Sequence, residues 1–256
     1  MNRFATLFLA LLALTPGVMA ASSVVIWPLT QTIPADDKGS VLWLENRGAA
    51  PITLQIRVVG WQQQQARESY HAQQNVVPSP PFATIAPGQR QMVRLMSLRP
   101  APSGQEQAYR VIVDEVPGAV PASTEPGAGI HFQMRYLLPL FVAGDGIKLP
   151  NAIEGPQDGK SYTQPALSWR VVSEAGQHWL TVSNKGAVHA RLSGVFWGSA
   201  PNASRAALTM SPGLLGYVLP GQEMRWPIPG GRKPPAGKLF ATLAETGQPV
   251  EIPSAG

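Results

Sequence analysis

One pattern occurs twice in the chain, and it constrains the fold more than any other feature. Leu42-Trp43-Leu44-Glu45-Asn46-Arg47-Gly48 and Leu180-Thr181-Val182-Ser183-Asn184-Lys185-Gly186 both read apolar, variable, apolar, variable, Asn, basic, Gly. Another Leu opens the next apolar run after each, at Leu54 and Leu192. A second signature follows in the same order: Ile85-Ala86-Pro87-Gly88-Gln89, then Val218-Leu219-Pro220-Gly221-Gln222. Alternating apolar residues make a half-buried strand. Asn and Gly accept the left-handed backbone of a tight turn, and Pro-Gly marks a second turn. Two copies of a strand–turn–strand unit imply two similar β-domains.

Composition supports this. The chain has 25 Gly and 26 Pro but only 14% charged residues, which suits short strands joined by turns and not long amphipathic helices. The expected fold class is therefore all-β, with two immunoglobulin-like β-sandwich domains set at an angle around an interdomain cleft. We place a first domain at 21–145 and a second at 146–256. The seam follows Ala143-Gly144-Asp145-Gly146, and a Gly/Pro/Asn-rich stretch from Pro150 to Gln164 comes next. Expected first-domain strands are 24–33, 40–45, 52–62, 81–85, 91–98, 108–115 and 130–142. Those of the second are 166–172, 179–183, 190–197, 214–218, 224–228 and 238–244. The polar run 67–75 reads as a loop, as does the low-complexity run 117–129.

Residues 1–20 read as a secretory signal peptide. Arg3 precedes the apolar run Phe4 to Leu14, and small residues end at Ala20, a suitable cleavage site. The run is too short for a membrane span, and no membrane insertion is expected. An exported chain with no cysteine must be held together by burial. The formal net charge of +5 has no dense Lys/Arg run behind it, so no nucleic-acid partner is expected.

Nothing in the chain assembles a catalytic constellation. The four histidines (His71, His131, His178, His189) have no metal-ligand spacing, and no metal or other cofactor is expected. No G-x-S-x-G elbow is present. Asp114 and Glu115 are adjacent on a strand, so their side chains point to opposite faces and cannot work as a pair. The chain is read as a binding protein and not an enzyme. The seven tryptophans could make a sugar platform, but their spread along strands fits core and edge positions better.

The stretch 129–142, GIHFQMRYLLPLFV, closes the first domain. Ile130, Phe132, Met134, Tyr136 and Leu138 share one face, with His131, Gln133 and Arg135 on the other. Such an apolar face is ordinarily core of its own domain.

Two blocks resemble a known family. Pro80 to Leu95 (PPFATIAPGQRQMVRL) is similar to the "PP-x-I-x-PG-x-x-Q-x-VR" block of the periplasmic pilus chaperones, the PapD-like family. Tyr109 to Pro117 (YRVIVDEVP) resembles their "YR-x-x-x-x-E-x-P" strand. The resemblance covers most of 24–142 and is weaker in the second half. It implies a chaperone for pilin subunits that lends its last first-domain strand to an incomplete subunit sandwich, without ATP, and hands it to an outer-membrane usher. The implied donor residues are Ile130, Phe132, Met134 and Tyr136. A free face of this kind is an aggregation hazard unless masked, and self-association of the unliganded protein is one way to mask it.

The family also implies a basic pair that anchors the subunit's C-terminal carboxylate. Arg135 has the parity for one member. The better-known branch carries an Arg on its first strand, yet residues 21–37 hold no Lys or Arg. The expected second member is Arg110, with Arg94 behind it. The alternative for Arg110 is a surface ion pair with Asp114. This departure, with Ile26-Trp27-Pro28 near the expected mature N-terminus, points to the archaic or alternative branch. The competing reading of the whole chain is a secreted β-sandwich module that binds carbohydrate or protein.

Overall fold

The computed structural model describes residues 24–117 and 133–255, except 152, 158, 232 and 244–246. The signal peptide and the donor positions Ile130 and Phe132 lie outside the described residues. Ten strands build the first domain: β1 (Val24–Trp27), β2 (Gln31–Ile33), β3 (Gly39–Asn46), β4 (Ile52–Gln64), β5 (Arg67–His71), β6 (Val76–Ser79), β7 (Phe82–Ile85), β8 (Arg90–Ser97), β9 (Glu106–Val116) and β10 (Arg135–Ala143). Seven build the second: β11 (Leu167–Glu174), β12 (Gln177–Asn184), β13 (Ala190–Gly198), β14 (Leu208–Val218), β15 (Glu223–Pro227), β16 (Lys238–Thr242) and β17 (Val250–Ile252). The described residues contain no α-helix, only short 3-10 turns.

The first domain is a sandwich of β1-β3-β8-β6 over β2-β10-β9-β4-β5, with β7 on the same edge of β4 as β5. All neighbours are antiparallel except β2 and β10, which run parallel over Gln31–Ile33 and Leu140–Val142. Alternation decides which residues enter the core. Leu42 and Leu44 of β3, Val93 and Leu95 of β8, Val111 and Val113 of β9, and Leu138, Leu140 and Val142 of β10 meet between the sheets. The second domain packs β11-β12-β15 over β14-β13-β16-β17, around Leu180, Val182, Leu192, Val195, Trp197 and Leu239.

The sequence repeat is a structural repeat. Asn46 donates from Nδ2 to the carbonyls of Ala50 (2.8 Å) and Ile85 (2.9 Å), and its Oδ1 accepts from the Gly48 amide (2.8 Å). Asn184 donates to the carbonyls of Val188 (2.8 Å) and Val218 (3.0 Å), and its Oδ1 accepts from the Gly186 amide (2.9 Å). Both side chains are buried. Each tightens the turn after its strand and ties it to the run ahead of the Pro-Gly turn. The backbone amides of the two Asn also reach equivalent carbonyls, Gln89 and Gln222.

Several expectations change: β6 and β17 are strands where none was expected, and Gln133 and Met134 of the expected strand 130–142 lie outside β10. Residues 67–71 of the expected polar loop form β5, hydrogen-bonded to β4 through Gly60–Gln64. Every residue of β5 is exposed, so the alternation that marks a half-buried strand is missing. The expected first strand, 24–33, splits at Pro28-Leu29-Thr30 into β1 and β2, which belong to different sheets. The tryptophans divide between core and surface. Trp61 and Trp197 are buried, whereas Trp27 and Trp43 are half-buried and stack with centroids 6.1 Å apart.

A third apolar cluster joins the domains. Trp61, Phe141, Ala143, Ile147 and Leu149 meet Val188, Tyr217 and Leu219. Polar contacts cross at the same place. Gln63 donates to the Tyr217 carbonyl and accepts from the Leu219 amide, both at 2.9 Å. Glu106, whose side chain is fully buried, accepts from the His189 backbone amide at 2.9 Å and also pairs with its ring Nδ1 at 2.9 Å. The His189 ring stacks on Phe141 at 3.4 Å.

Candidate subunit-binding face

The outer face of the β10-β9-β4 sheet follows from register and parity. The core takes Tyr109, Val111 and Val113 of β9, so Arg110, Ile112 and Asp114 point outward. Opposite them on β10 stand Pro139, Leu137 and Arg135, in that order. On β4, Val59 pairs with Arg110, Arg57 with Ile112 and Gln55 with Asp114.

Arg110 lies deep in this face, beside the interdomain cluster. It is 9% exposed, so it is not a surface charge, and its partner is Glu68 and not Asp114. Its guanidinium lies 3.6 Å from the Trp61 ring centroid and 5.5 Å from that of Tyr217 in the second domain. Cation–π contact of this kind favours the charged, planar guanidinium. The Glu68 carboxylate stands at 3.6 Å, and the buried Arg110 Nε has no hydrogen-bond partner. A buried donor without an acceptor carries a desolvation cost that an incoming acceptor would relieve.

Arg135 lies at the outer end of the face and is exposed. It is bound to Asp114, which also accepts from Arg57 Nη2 at 2.6 Å. Burial pushes the Asp114 carboxyl up, but hydrogen bonds and charge from Arg135 and Arg57 outweigh that and hold it below its ordinary value. One carboxylate under two guanidinium groups leaves this corner net positive. Sequence reasoning missed Arg57, because a cross-strand neighbour is visible only once register is known. Arg94 is elsewhere. It is exposed on β8 of the opposite sheet, next to Val41 and Ser79, and is not brought to Arg110 or Arg135.

Along β10 the core-side row changes character. Leu140 is fully buried and Leu138 is 6% exposed, Tyr136 is only partly buried against the same core, and Met134 is 44% exposed. The apolar row runs out of the protein's own core into solvent. The outward-facing Leu137 is also exposed, at 42%. One edge of β10 is paired with β9 along its whole length, while β2 covers the other edge only from Leu140 to Val142. Among the described residues no strand lies beside Arg135 to Pro139 on that edge. The Glu115 amide donates to the Met134 carbonyl at 3.1 Å, so Met134, Tyr136 and Leu138 direct their backbone groups to β9. Arg135 and Leu137 therefore turn theirs to the open edge, while the Pro139 carbonyl already faces β2.

A hollow of about 530 Å³ at the domain seam is lined by uncharged polar groups such as Gln62, Gln73, Gln107 and Tyr109, together with Glu106. Its lining includes His71 but no Lys or Arg. Among the described residues no cluster of His, Asp or Glu could hold a metal ion.

Comparison with known proteins agrees with this geometry. The model of the pili and flagellar-assembly chaperone family, PapD N-terminal domain, matches residues 23–148. The chaperone in the CsuC–CsuE pre-assembly complex of the archaic Csu pili of Acinetobacter baumannii is 32% identical. That alignment covers 91% of this chain and 100% of the other, with a TM-score of 0.69. The Salmonella enterica SafB chaperone structure, solved with the SafA pilin, is 18% identical. It covers 91% of this chain and 96% of the other at a TM-score of 0.61, and shares the fold. The E. coli chaperone DraB, 17% identical, covers 91% and 98% at a TM-score of 0.60. No curated protein sequence matches the chain. The sandwich pair, the two sequence blocks and these matches together show that the chain belongs to the PapD-like family of pilus chaperones.

Proposed function

We propose that the protein is a periplasmic chaperone of the archaic branch, and that it holds pilin subunits by donor-strand complementation through β10 and the residues before it. The observation that carries this reading is the apolar row of β10, which leaves its own core along an open strand edge. A subunit strand added at that edge would gain main-chain hydrogen bonds from Arg135 and Leu137. The subunit's open core would then continue this domain's core, receiving Tyr136 and Met134. By sequence parity, Phe132 and Ile130 extend the row. Each such side chain, once buried, contributes roughly 1.5–3 kcal/mol. Arg110, a buried and unsatisfied donor, would take the subunit's C-terminal carboxylate, while Arg135, four positions or about 13 Å away along the sheet, would add positive charge at the outer end of the face.

The signal peptide reading places the protein in the periplasm, with an outer-membrane usher as the next partner. The test is co-expression with a pilin subunit encoded beside its gene, followed by purification from the periplasm. Phe132→Glu combined with Arg135→Glu is expected to abolish the complex while the chaperone itself stays folded. Recovery of the complex at wild-type yield would contradict the donor-strand reading.

A further inference from the structure

Arg110 already has a carboxylate facing it, and that carboxylate sits on a weakly held element. Glu68 belongs to β5, the outermost strand of its sheet, where every residue is exposed. The ion pair is long, 3.6 Å from Arg110 Nη2 to Glu68 Oε1, beyond hydrogen-bond distance. The other Glu68 oxygen accepts from the Tyr70 hydroxyl at 2.5 Å. Burial first, and then the Glu68 carboxylate, push the Tyr70 phenol up from its ordinary value against the opposing pull of the Arg110 guanidinium beside it, so it remains a donor to Glu68 at neutral pH. Tyr70 therefore holds Glu68 beside the guanidinium but not in full contact with it. Trp61 covers one face of Arg110, and Nε stays without an acceptor.

We propose that Glu68, positioned by Tyr70, is a resident competitor for the carboxylate site at Arg110, which a ligand's carboxylate must displace from the guanidinium. The proposal rests on Arg110 being a carboxylate-binding residue, as argued above, and adds the group that sets the strength of that binding. Three features support displacement over permanent pairing. Contact is incomplete, so little is lost when it breaks. The partner lies on an exposed edge strand, which can shift without disturbing the core. Tyr70 offers Glu68 a hydrogen bond that survives the exchange. An incoming carboxylate can also reach Nε, which Glu68 leaves unsatisfied. The exchange keeps the site's charge balanced before binding, and a neutral ligand end could not drive it.

The test uses the full mature chain and acetate as the probe, with acetamide as the uncharged control. The readout is the NMR signal of the Arg110 Nε–H group. Acetate is expected to shift that signal in the wild type. In Glu68→Gln and Glu68→Ala the half-saturating acetate concentration should fall about two- to fivefold, the scale of one partly exposed ion pair. Acetamide should leave the signal in place in all three proteins. If acetate binds at Arg110 but Glu68→Gln and Glu68→Ala leave its midpoint unchanged or raise it, Glu68 is not a competitor, while Arg110 remains a carboxylate site. If acetate fails to shift the Arg110 signal in every protein, both the competitor and the carboxylate role of Arg110 fall.

Discussion

Arg110→Ala is expected to weaken the complex with a pilin subunit by about 2–5 kcal/mol, the cost of removing one partner of a buried charge contact. That corresponds to a factor of at least about 30 in Kd. The size follows from where the residue lies. Arg110 is buried, stacked on Trp61 and close to Tyr217, so a carboxylate bound there is shielded from water and from salt. Arg135 is exposed and already engaged by Asp114, so Arg135→Ala should cost much less. Arg110→Lys is the informative companion. It keeps the charge but loses the planar stack and the forked donors, and should recover only part of the affinity. The check is Kd by calorimetry for the three variants, with circular dichroism to confirm that each is folded. Equal losses for Arg110→Ala and Arg135→Ala would remove the distinction drawn between the two sites.

The second large effect concerns stability. Asn46→Ala removes the donors to the Ala50 and Ile85 carbonyls and the acceptor of the Gly48 amide. Asn184→Ala does the same to Val188, Val218 and Gly186, and also leaves the Ala166 amide without its acceptor. Each orphaned buried group costs about 1–3 kcal/mol. With some water reaching the turn, each substitution should destabilise its domain by about 3–4 kcal/mol. Asn46→Ala acts on the first domain and Asn184→Ala on the second. The residues share no partner, so in the double variant each domain should lose about what it loses in the single variant. Urea titration followed by tryptophan fluorescence measures this. A loss below about 1 kcal/mol in either single variant would mean that the turns do not depend on the Asn.

How much of this was legible in the sequence depends on what each feature needs. The Asn pair was legible because part of its bonding is local, to Gly48 and Ala50 and to Gly186 and Val188, whereas its ties to Ile85 and Val218, 39 and 34 positions away, needed the structure. The apolar run Leu140-Phe141-Val142 shows no alternation, and its parity needed the structure, but the shared face of Met134, Tyr136 and Leu138 was legible because period two needs no partner. The Arg57–Asp114–Arg135 cluster was not. Arg57 and Asp114 are 57 positions apart and meet only because β4 and β9 pair in one register. Arg110 was named from a motif, but its surroundings were invisible, because Trp61 comes from another strand and Tyr217 from the other domain. β5 was missed because an exposed edge strand buries neither face and so shows no alternation. Edge strands of this kind are commonly polar, which discourages unwanted pairing. Arg94 sits in the motif block beside core residues Val93 and Leu95, and parity alone sends it outward on a sheet that does not face the cleft.

The central claim is that the open edge of β10 pairs with a strand of the subunit. Hydrogen exchange at the Arg135 and Leu137 amides tests it most directly, because both point away from β9 toward that edge. In the free chaperone these two amides should exchange quickly, while the Tyr136 and Leu138 amides, bonded to β9, exchange slowly. In a one-to-one complex with a pilin subunit the Arg135 and Leu137 amides should slow by at least about a hundredfold, since exchange would then require opening of the added strand. A stable complex in which both amides exchange as fast as in the free protein would show that the subunit binds without pairing to β10.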